Sequence, residues 1–94
     1  MDDFDRGAAL SALKDAVKLA KQRCSAANAP HGSFRISVAY AVDGRVSAAR
    51  IESHFMAALF PTETRSCVER IFGDTVIPPF HGAPVTVHKV FELD

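Results

Sequence analysis

Three stretches of the chain follow different hydrophobic periods, and each predicts its own element. Ahead of residue 25, Leu13, Val17, Ala20 and Cys24 recur at steps of four, three and four, with Ala9, Leu10 and Ala16 widening the stripe. That spacing holds apolar side chains on one side of a 3.6-residue turn and predicts an amphipathic helix ending near Cys24. Asp5 is placed to cap it by accepting from first-turn amides, and Phe4 before it fits a hydrophobic staple. Lys14, Lys18, Lys21 and Arg23 fall on the solvent side, and their lean towards the later turns complements the helix dipole. Residues 26–32, with Asn28, Pro30 and Gly32, break the period and predict a loop.

The period then drops to two. Phe34, Ile36, Val38, Tyr40 and Val42 alternate with Arg35, Ser37, Ala39 and Ala41, the signature of a strand with one buried face. Asp43-Gly44 follows directly and predicts a tight two-residue hairpin with positive φ at both turn positions. The return strand starts at Arg45-Val46, but its apolar set changes parity from Val46 to Ala49, Ile51 and Phe55. One extra residue shifts parity in this way, so a β-bulge is expected near Ser47-Ala48. The apolar run from Phe55 to Phe60 closes the strand or opens a turn.

A second, shorter helix is predicted from Pro61-Thr62-Glu63, with Thr62 as its cap and Glu63 at its positive end. Cys67, Val68, Ile71 and Phe72 give it a narrow apolar face, and Gly73 suits the left-handed position that ends a helix. Residues 76–84 contain Pro78, Pro79 and Pro84, which cannot serve a central ladder, so this stretch reads as an extended connector. A last strand covers residues 85–93, where Val85, Val87, Phe91 and Leu93 share parity and Lys89 interrupts it. Either Lys89 snorkels at the sheet margin or a bulge brings in Val90.

Helix-strand-strand-helix-strand predicts an α+β fold, a two-layer sandwich in α-β-β-α-β order. Its three-stranded antiparallel sheet takes strand order 2-1-3, with two helices on one face, because the second helix must cross over from strand two to strand three. The last strand then lies at an edge, guarded only by Lys89 and Glu92.

Composition narrows the function. Eleven basic and eleven acidic residues leave a formal net charge of zero over 94 residues, which removes the positive stripe that nucleic-acid binding needs. With 48% apolar and 23% charged residues, residues 1–94 read as a single folded domain with no membrane-inserting segment. His31, His54, His81 and His88 have no metal-ligand spacing. No Gly-rich phosphate loop is present, and the cysteines sit in apolar stripes rather than thiolate-stabilising settings. An enzyme is therefore not expected, nor a cofactor. The cysteines alone leave two options open, separate buried thiols or a pair.

Phe4-Asp5-Arg6-Gly7-Ala8-Ala9 opening the first helix is one part of a wider pattern. Gly32-Ser33-Phe34-Arg35-Ile36-Ser37-Val38, Asp43-Gly44-Arg45-Val46-Ser47-Ala48-Ala49, and Thr62 before Cys67-Val68 continue it. Val76-Ile77-Pro78-Pro79-Phe80-His81-Gly82-Ala83-Pro84-Val85-Thr86-Val87 completes it. Together these resemble TonB C-terminal-like domains, specifically the variant at the C-termini of myxobacterial envelope and gliding-motility proteins. The resemblance implies a periplasmic protein-interaction domain of an envelope-spanning transport or motility complex, part of a longer membrane-anchored protein. Its partner would be an extended segment of an envelope or outer-membrane protein, captured by strand addition along Val85, Thr86, Val87, His88, Lys89, Val90 and Phe91. The chain departs from TonB itself in its two cysteines and in showing no transmembrane or Pro-rich spacer, which would lie in the longer parent protein. The alternative is a structural or regulatory appendage of an envelope scaffold or kinase, without strand addition. The same open strand would also allow weak edge-to-edge homodimers. Placement of both cysteines towards one layer, joined to the oxidising compartment the resemblance implies, gives a Cys24–Cys67 disulfide as the expectation.

Overall fold

The computed structural model describes residues 3–24, 32–52 and 62–93. Its elements are α1 (Arg6–Arg23), β1 (Gly32–Tyr40), β2 (Val46–Ile51), α2 (Thr62–Gly73) and β3 (Val85–Leu93). The strands form one antiparallel sheet in the order β2-β1-β3, and the two helices share one of its faces. The expected fold class, strand order and element order therefore hold. The run 55–60, Pro61, His31 and His54 lie outside the described residues.

α1 begins where Asp5 caps it, the side-chain oxygen accepting from the Ala8 amide at 2.9 Å. Phe4, just before the cap, packs against the core. Its ring meets Phe80 edge-on at 5.1 Å between centroids and lies 6.4 Å from Tyr40, tying the helix start to the connector. Ala9, Leu13, Ala16, Ala20 and Cys24 are the buried stripe, and Val17 packs at its margin. Leu10, assigned to the stripe by sequence, is 55% exposed. Small alanines line most of the stripe and bring the helix close to the sheet, so the inward arc is narrow and Leu10 falls outside it.

β1 is the middle strand. Ile36, Val38 and Tyr40 are fully buried, and Arg35, Ser37 and Ala39 face away from the helices. The turn after it differs from the one expected. Asp43 does not have positive φ; only Gly44 does, at 87°. The Gly44 amide bonds to the Ala41 carbonyl at 2.9 Å and the Ala41 amide to the Arg45 carbonyl at 2.8 Å. This is the three-residue loop in which one left-handed glycine restores the strand twist. Asp43 instead uses its side chain, accepting from the Arg45 amide at 3.0 Å. Ala39 then pairs with Ala48 and Tyr40 with Val46, which leaves Ser47 as the bulged residue.

Thr62 is the first residue of α2 rather than its cap. Gly73 also differs from expectation, because its φ is not positive and it belongs to the helix. The end is made by Asp74, whose amide reaches Arg70 and Ile71, and by Thr75, whose hydroxyl donates to the Phe72 carbonyl at 2.8 Å. β3 pairs with β1 without interruption from Gly32↔Leu93 to Tyr40↔Val85. No bulge brings in Val90, which is 61% exposed. Lys89 keeps the inward parity and is half-buried, its aliphatic stem suiting the sheet margin.

Tyr40 brings a polar group into the core. Since Thr75 spends its proton on Phe72, the phenol donates to the Thr75 oxygen, 2.8 Å away. Burial pushes the Tyr40 phenol above its usual pKa near 10, only partly opposed by Thr75. The folded form therefore holds the proton more tightly than the unfolded chain. Its contribution is complete below the unfolded value of about 10 and is lost as pH rises beyond it. Tyr40→Phe is expected to cost about 1 kcal/mol at neutral pH. It should also flatten the decline in unfolding free energy above pH ~10, measured by urea titration at several pH values. An unchanged alkaline slope would refute the assignment.

Candidate functional site

A three-stranded sheet has two edges, and this fold treats them differently. The outer side of β2 is bulged near its start and covered at both ends. Ser47 bulges it, Arg45 bridges to Val76 of the connector, and the Ile51 amide donates to Glu69 Oε2 of α2 at 3.1 Å. Glu69 is held from the other side by Arg65 Nε at 3.6 Å. Glu69 lies outside the apolar face of Cys67, Val68, Ile71 and Phe72. Its role becomes visible only when α2 is laid beside β2, since residues 51 and 69 are not related by any local spacing.

β3 has no such cover among the described residues. The direction of its backbone groups follows from β1. The Glu52 amide bonds to the Arg35 carbonyl at 2.8 Å, which turns Arg35 towards β2. Alternation then turns Ile36, Val38 and Tyr40 towards β3, so their partners Lys89, Val87 and Val85 exchange bonds with β1. The amides and carbonyls of Thr86, His88 and Val90 consequently point out of the sheet. The seven residues expected to form the docking strand thus divide in two. Val85, Val87, Lys89 and Phe91 hold β3 in the fold, and Phe91 is buried with its ring 5.4 Å from Phe72. Thr86, His88 and Val90 present the open ladder.

Beside this edge lies a cavity of about 260 Å³, between the first half of α1 and the start of β3. Arg6, Leu10 and Leu13 line one wall and residues 85–88 the other. The exposure of Leu10 thereby acquires a setting, because its side chain stands where the helix-facing residues of an added strand would pass. On the opposite face of the sheet, Glu52 Oε2 accepts from Arg35 Nε and from His88 Nδ1, each at 3.1 Å. A bond from imidazole to carboxylate fixes the proton on Nδ1 and orients the ring. One carboxylate therefore joins the side chains of β1 and β3 to the end of β2, bracing the strand whose outer ladder is open.

Cys24 and Cys67 form a disulfide with Cα atoms 5.7 Å apart, joining the end of α1 to the second turn of α2. A disulfide is consistent with an oxidising compartment. No helix among the described residues is long and apolar enough to cross a membrane. Among the same residues no cluster of three or more His, Cys, Asp or Glu side chains is arranged to hold a metal ion. In comparisons with protein families, curated proteins and solved structures, nothing matched the chain.

Proposed function

We propose that the protein is an interaction module that docks an extended partner segment on the outer edge of β3. The asymmetry of the two edges carries this reading: β2 is covered by a bulge, the connector and Glu69, whereas β3 presents Thr86, His88 and Val90 outwards. Backbone pairing supplies affinity in strand addition, and alternate side chains supply selectivity. Here one set would face Leu10 and the other the polar surface around His88. The resemblance to TonB C-terminal-like domains makes the partner a segment of an envelope or outer-membrane protein. With the disulfide, it favours the periplasm and an envelope transport or motility complex.

Peptides selected from a displayed random octapeptide library provide the probe, and proline substitution provides the test. Thr86→Pro and His88→Pro remove outward amides and should leave a folded, disulfide-bonded protein whose peptide affinity falls more than about tenfold. Val87→Pro removes an amide bonded to β1 and should unfold the domain. Undiminished binding by both folded variants, measured by titration calorimetry, would reject this edge and favour a regulatory appendage without strand addition.

A further inference from the structure

The outward surface of the helical layer carries a second feature, independent of the β3 edge. Cys24 is bonded to Cys67, while Asp15 and Ala16 share a cavity with Ile71, Asp74 and Thr75. Rising numbers on α1 thus meet falling numbers on α2, so the helices run antiparallel with a furrow between them. At one end Asp15 and Asp74 line it; at the other, a cavity of about 460 Å³, Arg23 and Arg70 do. Ile71 borders both cavities, and Leu19, 38% exposed, stands with it in the middle. The two charged ends are about 12 Å apart along α1. None of the four charged side chains has an ion-pair partner among the described residues.

We propose that this furrow is a self-association surface whose occupant is a second copy of the chain. The argument is charge complementarity under a two-fold axis. Inverting a surface that is acidic at one end, apolar in the middle and basic at the other sets Asp15 and Asp74 of each copy against Arg23 and Arg70 of the other. Leu19 and Ile71 then meet their own equivalents at the axis, as a self-complementary dimer interface requires. A strongly acidic or strongly basic partner would satisfy one end and be repelled at the other. Glu63, one to two turns nearer the start of α2, also lines the basic cavity and reduces the attraction there. The patch is small, so the dimer is weak and salt-sensitive.

Sedimentation equilibrium of the disulfide-bonded protein from micromolar to millimolar concentration tests this. Dimerisation should appear at low salt and weaken at least tenfold near ~1 M salt, where the Debye length is about 3 Å. Asp15→Arg with Asp74→Arg should abolish it, as should Arg23→Glu with Arg70→Glu. An equimolar mixture of those two variants should associate again. Amide chemical shifts of the unmodified protein on dilution should change along the furrow, a readout that does not depend on any variant folding. A protein that stays monomeric at millimolar concentration overturns the proposal. So does a dimer indifferent to charge reversal, a mixture that fails to associate, or a dimer lost on Thr86→Pro, which would place self-association on the β3 edge.

Discussion

Gly44→Ala is expected to destabilise the protein by at least about 4 kcal/mol, a large part of the 5–15 kcal/mol typical of a domain. Two costs combine. At φ 87° an L side chain is strained, which costs on the order of 1–2 kcal/mol. The added methyl would also overlap the Ile77 carbonyl, which is backbone and has no rotamer by which to withdraw. Relieving that overlap moves the connector off the hairpin. The movement breaks the bond from the Ile77 amide to the Gly44 carbonyl and threatens that from the Phe80 amide to Val42, both 2.9 Å long. Ile77 and Phe80 are both core residues. Gly82 provides the control: its φ is 108°, but nothing stands within 4 Å of where its methyl would be. Gly82→Ala should therefore cost only the conformational part, about 1–2 kcal/mol. Urea unfolding of the two variants separates the contributions. Equal midpoints would mean that the close approach to Ile77 contributes nothing.

Reduction of the Cys24–Cys67 bond is expected to lower the unfolding free energy by about 4 kcal/mol on the chain-entropy account of a closed loop this long. The bonded residues are 43 apart in sequence and enclose β1 and β2. Opening the ring returns conformational freedom to the unfolded chain while costing the native state little else, because both sulfurs stay between the helices. Thiol titration of unfolded, unreduced protein should find no free thiol. Urea midpoints with and without reductant then give the contribution. Two titratable thiols, or coincident midpoints, would contradict the bond or its stabilising role.

Much of this architecture is readable from residue order, for physical reasons that also mark where reading stops. The alternation in Phe34–Val42 and the parity change after Val46 are local, so the middle strand and the bulge at Ser47 follow from spacing alone. The Cys24–Cys67 disulfide is expected only when two helical stripes facing one layer are joined to the oxidising compartment that the resemblance implies. The hairpin turn differs from the two-residue form because Asp-Gly serves two turn types, and the one adopted here lets the connector seat Ile77 against Gly44 from thirty-three residues away. Gly73 differs for a similar reason: a glycine after an apolar stripe suits a left-handed cap, but here Thr75 closes the helix from two residues further on. At the candidate edge, the identity of the strand was legible, but the direction of its amides was not. That direction depends on register with β1, which a single residue of slip would invert. The cover over β2 was hidden too, since Glu69 serves an amide on another element.

The strand at the centre of the sheet receives its two neighbours from opposite directions along the chain. β2 reaches it through a short turn, whereas β3 returns only after α2 and the connector, with Ile36 meeting Lys89 and Tyr40 meeting Val85. A polypeptide synthesised only as far as Pro84 would thus hold every other element while β1 offered its most apolar segment as an unpaired border. Such borders recruit other unfinished chains. Assembly is consequently committed late, by the arrival of β3, and a nascent or truncated copy is most exposed to aggregation just before that moment.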